Sequence, residues 1–177
     1  MTEKTFRRNN FFAGRLLSAA DLELEQNYFR SKLKLHNRLM HGFGIVSGLE
    51  VSSRGGELHI SSGVALDCEG NEIVVVESFA QPLPSLSSDT SLFLTIHYRE
   101  QQTNPSPALG SEALCEAALI EEVFALEFES QNPNQNHRHE RGRWQACGNP
   151  HGLVLARLRK TSGQWRIDRR LRRPLVK

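Results

Sequence analysis

From Ser18 to Gly42 the apolar residues recur at helical spacing, and from Gly44 onward they alternate or cluster in short runs punctuated by glycine. That change of period divides the chain into a helical beginning and a β-rich remainder. Ser18 is placed to open the helix. Its hydroxyl can accept from the backbone N–H of Asp21, and the Asp21 carboxylate lies in the first turn, where negative charge opposes the helix dipole. Neither Gly nor Pro interrupts the run to His41. Lys34, His36, Arg38 and His41 gather at the far end, and Gly42 stands where a C-terminal cap is expected.

Projected at about 100° per residue, Leu22, Phe29, Leu33 and Met40 form one apolar stripe. Leu24, Tyr28, Leu35 and Leu39 form a second, displaced by roughly 120°, with Glu25, Lys32 and His36 between them. Two readings fit this pattern. The stripes can serve two packing partners, the domain's own sheet on one side and another subunit or the N-terminal arm on the other. Alternatively they are one wide face whose polar seam reaches out to water at its edge. Ahead of the helix, residues 1–17 mix Phe6, Phe11 and Phe12 with Arg7, Arg8 and Arg15, and "FFAGRLL" is apolar enough to be an anchored arm.

Beyond the helix the period is that of strands. "GLEVSSRGGELHISSG" reads as a hairpin turning at Arg54-Gly55-Gly56, and "VALDCEGNEIVVVE" as another turning at Glu69-Gly70-Asn71. "SLFLTIHYRE" (91–100) and "IEEVFALEFES" (120–130) alternate as half-buried strands, the latter with Phe124, Leu126 and Phe128 on one face. "GLVLARLRK" and "QWRID" make a last hairpin around Thr161-Ser162-Gly163. Long loops are expected at 101–112 and 131–150. The predicted fold class is mainly β (α+β): an arm and one long amphipathic helix over 1–42, then antiparallel hairpins over 43–177 forming a sandwich or barrel-like domain.

Composition narrows the function classes. With 177 residues, 38% hydrophobic and 24% charged, the chain suits a single globular unit with a real core. A net charge of +2 creates no global demand for nucleic acid. No apolar run approaches the ~20 residues that span a bilayer, and "MTEKTFRRNNFF" lacks the apolar stretch of a secretory signal. These features lead us to expect a soluble protein made in the cytoplasm, with Cys68, Cys115 and Cys147 as reduced thiols.

Candidate chemistry is sparse. His36 and His41 are five apart, so on an α-helix they diverge by about 140° rather than sharing a face as a metal pair must. His137, His139, Cys147 and His151 are suitable ligand types without a recognised finger spacing. Glu127 and Glu129 share a strand face and need an opposing cation, for which the Arg-rich C-terminus is the expected source. The chain has no GxSxG elbow, no P-loop and no GxGxxG following a strand. The arginines could contact nucleic acid, but only Trp165 is available to stack on a base. We therefore expect no enzyme activity, no cofactor and no resident metal.

The motifs do resemble a known family. "FFAGRLLSAADLELEQNYFRSKLKLHNRLMHGFGIVSGLEV", followed by "SSGVALDCEGNEIVV", resembles proteins encoded with contractile phage tails and phage-tail-like contractile injection systems. Their F-x-G-x-L-L start, E-Q-x-Y helix ending in H-N-R, H-G-x-G-V-x-x-G-L-x-V segment and G-x-A-x-D-x-x-G-x-E-I hairpin have counterparts here. They are Phe12, Gly14, Leu16 and Leu17; Glu25, Gln26 and Tyr28; His36, Asn37 and Arg38; His41, Gly42, Gly44, Gly48 and Leu49; and Gly63, Ala65, Asp67, Gly70, Glu72 and Ile73. The second half of the chain is similar more loosely. The resemblance implies a structural baseplate-associated or adaptor protein of such a particle, with other particle proteins and further copies of itself as partners.

On this reading Phe11, Phe12, Arg15, Leu16, Leu17, Leu24, Tyr28, Leu35 and Leu39 are the expected interface. His36, Asn37, Arg38, His41, Gly42, Gly44 and Gly48 are the expected joint between helix and β domain. The competing function is a binding module that takes a ligand or cargo through the 101–112 and 131–150 loops.

Overall fold

The computed structural model describes residues 5–85, 90–107, 115–135, 147 and 150–176. Ser18 caps the N-terminus of helix α1 (Ala19–His36) as anticipated, and its hydroxyl and the Asp21 carboxylate satisfy each other's backbone N–H in a reciprocal box. The helix does not stop at His36. It widens into a π turn over Asn37–His41, closed by the bond from the Gly42 N–H to the Asn37 carbonyl, with Gly42 at φ +79°.

Ten strands follow among the described residues: β1 (Gly44–Gly48), β2 (Val51–Arg54), β3 (Glu57–Ile60), β4 (Gly63–Leu66), β5 (Glu72–Val75), β6 (Phe79–Pro82), β7 (Ser91–Pro107), β8 (Cys115–Glu129), β9 (Leu153–Thr161) and β10 (Gln164–Ile167). They form three antiparallel sheets, ordered β1-β4-β5, β2-β3-β6 and β10-β9-β7-β8. The fold is thus mainly β behind a single N-terminal helix. The turns fall where glycine permits them: Gly55 and Gly56 both take positive φ between β2 and β3, as do Ser162 and Gly163 between β9 and β10. Between β4 and β5 the Asp67 carboxylate accepts from the backbone of Glu69 and Asn71 and from the Asn71 side chain, which folds the loop onto itself.

The core lies between the sheets. Period-two alternation sends Leu58 and Ile60 of β3, Ile73 and Val75 of β5, and Leu94 and Ile96 of β7 inward, where they meet Leu153, Leu155 and Leu158 of β9. Strand β9 is flanked on both edges, and Leu153 to Ala156 are buried without alternation. Phe124, Leu126 and Phe128 of β8 pack against this core as the alternation indicated.

Two sequence expectations change. Residues 101–107 are strand rather than loop, because β7 and β8 stay paired from Phe93↔Glu129 out to Pro107↔Cys115. Since β9 pairs β7 only over Ser91–Ile96, the outer part of β7 and β8 is a two-stranded ribbon that leaves the sheet. Cross-strand pairing of polar residues such as Gln101↔Glu121 sustains it without the apolar face that a sequence reading relies on. Second, the groups facing Glu127 and Glu129 come from β7, not from the C-terminus, and the cation among them is Arg99. Arg99 lies 3.0 Å from Glu127, and His97 lies 3.6 and 3.5 Å from Glu127 and Glu129. The C-terminal segment is engaged elsewhere: Arg173 donates to the Leu49 carbonyl and pairs with Glu50, while Leu175 bridges Ile45 in parallel.

Candidate assembly interface

The arm returns antiparallel along the helix and is fixed by Asn9 and Arg15. Asn9 donates from its backbone to Glu25 at 3.2 Å and from its side chain to the Asp21 carbonyl at 2.5 Å. Arg15 reaches the Asn10 carbonyl, the Asn9 side chain and the Asp21 carboxylate. The Ser18 hydroxyl and backbone, with Arg15 beside them, hold the Asp21 carboxyl below its ordinary pKa. Further along, Phe6 meets Tyr28 edge-on at 6.4 Å and carries the Lys32 ammonium over its ring. Asp21, Glu25, Tyr28 and Lys32 share one face, so the arm covers the polar seam and the Tyr28 side of the helix.

The sheets do not cover what remains. No residue of α1 is buried. Leu22, Phe29, Leu33 and Met40, the first stripe, are 56, 62, 51 and 66% exposed. In the arm Phe11, Phe12, Leu16 and Leu17 are open as well, Leu16 almost completely. Of the second stripe, Tyr28 and Leu35 are half-buried and Leu24 and Leu39 are just exposed. Within the helix and its π turn the more open apolar side chains are therefore those of the first stripe, and with Phe11, Phe12, Leu16 and Leu17 of the arm they are left uncovered by the described residues.

The helix is tied to the β domain at its C-terminal end. Asn37, buried in the π turn, donates to the Gly70 carbonyl at 3.0 Å and to Glu72 at 3.3 Å. Arg38 donates to the Glu69 carbonyl at 2.7 Å. Higher up, Arg30 pairs with Glu100, and the Lys34 ammonium lies 5.8 Å from the centre of the Tyr98 ring. Burial, and then Glu100 and Glu122, push the Tyr98 hydroxyl well above its ordinary pKa. His36 and His41 are exposed and meet edge-on at 5.4 Å, because a π turn bonds i to i+5 and stacks residues that an α-helix would separate. A Cβ on Gly44 (φ +144°) would stand 2.7 Å from the Leu175 backbone, and one on Gly48 (φ +62°) would enter the Ser62 carbonyl.

Elsewhere the structure places chemistry more thinly. His137 and His139 lie outside the described residues, as do most of 131–150 and the end of 101–112, so the loop-borne ligand site is left with 131–135, Cys147 and 150. His151 contacts the Asn134 side chain and the Phe43 ring. Burial first, and Cys147 next to it, push the Cys68 thiol up to about 12. His97, Glu127 and Glu129 converge, a grouping that sequence spacing could not reveal because it depends on the β7–β8 register.

No protein-family model matches the chain, and no curated protein matches it. Solved structures that share the fold include two from one kind of assembly. One is a cryo-electron microscopy structure of the type VI secretion system TssK-TssF-TssG baseplate subcomplex, with a chain 14% identical at TM-score 0.58 over 97% of this chain and 62% of that one. The other is the baseplate complex from the type VI secretion system, 13% identical at TM-score 0.52 over 97% of this chain and 60% of that one. The present chain thus spans about three-fifths of the length of these structural relatives.

Proposed function

We propose that this protein is a non-enzymatic structural component of the baseplate of a contractile injection particle, docked to a neighbouring protein through residues 1–42. The observation that carries the proposal is the state of the helix. An eighteen-residue helix with no buried residue, tied down at one end and along its polar seam, leaves Leu22, Phe29 and Leu33 in water, together with Met40 of the π turn. An uncovered apolar stripe of this kind is the surface a partner protein covers. The fold shared with chains of type VI secretion baseplate complexes supports the setting, and the sequence motifs of contractile-system proteins support it independently.

In this arrangement the π turn and the glycines after it are the joint. Asn37 and Arg38 fasten the helix to the β4–β5 loop, Gly42 reverses the chain, and Gly44 and Gly48 let neighbouring backbone come close. Residues 43–177 are the platform that aims the docking helix. The test is deletion of residues 1–17. The truncated chain is expected to fold, with an unchanged β-sheet signature, and to be missing from purified particles. Incorporation at the normal level would overturn docking through the arm.

A further inference from the structure

We propose that His97, Glu127 and Glu129 form a site for one divalent transition-metal ion of the zinc class, bound through His97 Nε2 and one oxygen of each glutamate. The site goes beyond the assembly role and does not depend on it. All three ligand atoms lie within 4.8 Å of one another. The His97–Glu127 and His97–Glu129 separations, 3.6 and 3.5 Å, are too long for good hydrogen bonds. They match the edges of a coordination tetrahedron, since bonds of about 2.0–2.2 Å at tetrahedral angles set ligand atoms about 3.3–3.6 Å apart.

The surroundings set the imidazole nitrogen against the two carboxylates. Thr95, fully buried on the same face of β7, has one hydroxyl proton and gives it to Glu129 at 2.8 Å, its shortest contact. His97 Nε2 lies 3.1 Å from the same hydroxyl, and in the tautomer protonated at Nδ1 its lone pair turns toward the two glutamates. Arg99 neutralises Glu127 through Oε1, whereas the oxygen turned toward His97 is Oε2. Two carboxylate oxygens and an imidazole nitrogen therefore converge on one point, and a cation there satisfies all three. The supports are of the kind that orient metal ligands: Thr95 on Glu129 and Arg99 on Glu127. Gly152 adds a cradle beside the imidazole. A Cβ at that position would occupy the space of His97 Nε2 itself, so the absence of a side chain is what lets the ring stand there.

The placement gives the ion a task. Thr95 and His97 belong to β7, Glu127 and Glu129 to β8, at the root of the ribbon where β9 ceases to pair. A bound ion would clamp the two strands where the ribbon leaves the body.

The experiment uses full-length protein stripped with a chelator and titrated with zinc ion alone, followed by calorimetry and thermal unfolding, with cobalt as a spectroscopic probe. The expected result is one ion per chain, a higher melting temperature when loaded, and visible d–d bands for the cobalt form. His97→Gln and Glu129→Gln should each weaken binding at least about tenfold, while Glu121→Gln, farther out on the ribbon, should not. If either variant misfolds, Glu127→Gln, at the more exposed third ligand, reads the same site with the same expected weakening. Absence of binding, binding unchanged in both variants, or equal weakening by Glu121→Gln would overturn the proposal.

Discussion

At the scale of single residues, the segment His36–Gly48 separates side chains that matter for geometry from those that only look chemical. Gly44 and Gly48 combine positive φ with backbone packed against the Cα hydrogen. Gly44→Val is therefore expected to cost more than about 3 kcal/mol, from strain and displaced chain together, read as a lowered urea midpoint. Asn37→Ala should cost about 1–3 kcal/mol by removing a buried donor, whereas the exposed His41→Gln should stay within about 0.5 kcal/mol. Equal damage from His41→Gln would show that the histidine pair has a role the joint does not explain. The glycines could be read from the sequence, because positive φ and close approach are what glycine is for. The His36–His41 contact could not. Spacing was converted to angle at the α-helical value, and the π turn breaks that conversion.

At the scale of elements, legibility followed locality. The Ser18 box, the Gly42 cap and the tight turns at Gly55-Gly56 and Ser162-Gly163 are written in a few adjacent residues, and they stand where expected. The ribbon was missed because strand pairing supports residues 101–107, and no apolar alternation announces it. The two-stripe helix pattern was visible, but the sequence could not say that the arm covers the seam and that the sheets bury neither stripe. A direct consequence concerns Phe29 and Met40. Replacing both with Ser should leave the melting temperature of the free chain nearly unchanged, since neither side chain is buried. A large loss would mean that the stripe already has a partner within the chain.

At the scale of the whole molecule, charge ties the ends of the chain to the core. The Arg170 backbone N–H, then Arg159 and Arg157, hold the Asp168 carboxyl below its ordinary value, as Ser18 and Arg15 do for Asp21. A carboxylate whose pKa is lowered by folding adds stability above its unfolded pKa, near 3.8 here, and loses it as pH falls through the lowered value. Unfolding midpoints should drop as pH falls below about 4, and Asp168→Asn should reduce that slope. An identical slope in the variant would remove Asp168 from the acid response. Most of the β architecture was legible, but the metal-like convergence at His97 was not, because it needs the register of two strands that are distant in sequence.

The central claim is that the helix face left open in the free chain is the one an assembled particle covers. Hydroxyl-radical footprinting tests it directly, comparing free protein with purified particles at Phe29, Leu33 and Met40 against the ribbon residues Leu119 and Ile120, which are similarly exposed. The account predicts strong labelling of Phe29, Leu33 and Met40 in the free chain and marked protection in the particle. Labelling that stays unchanged on assembly at those three residues would contradict it.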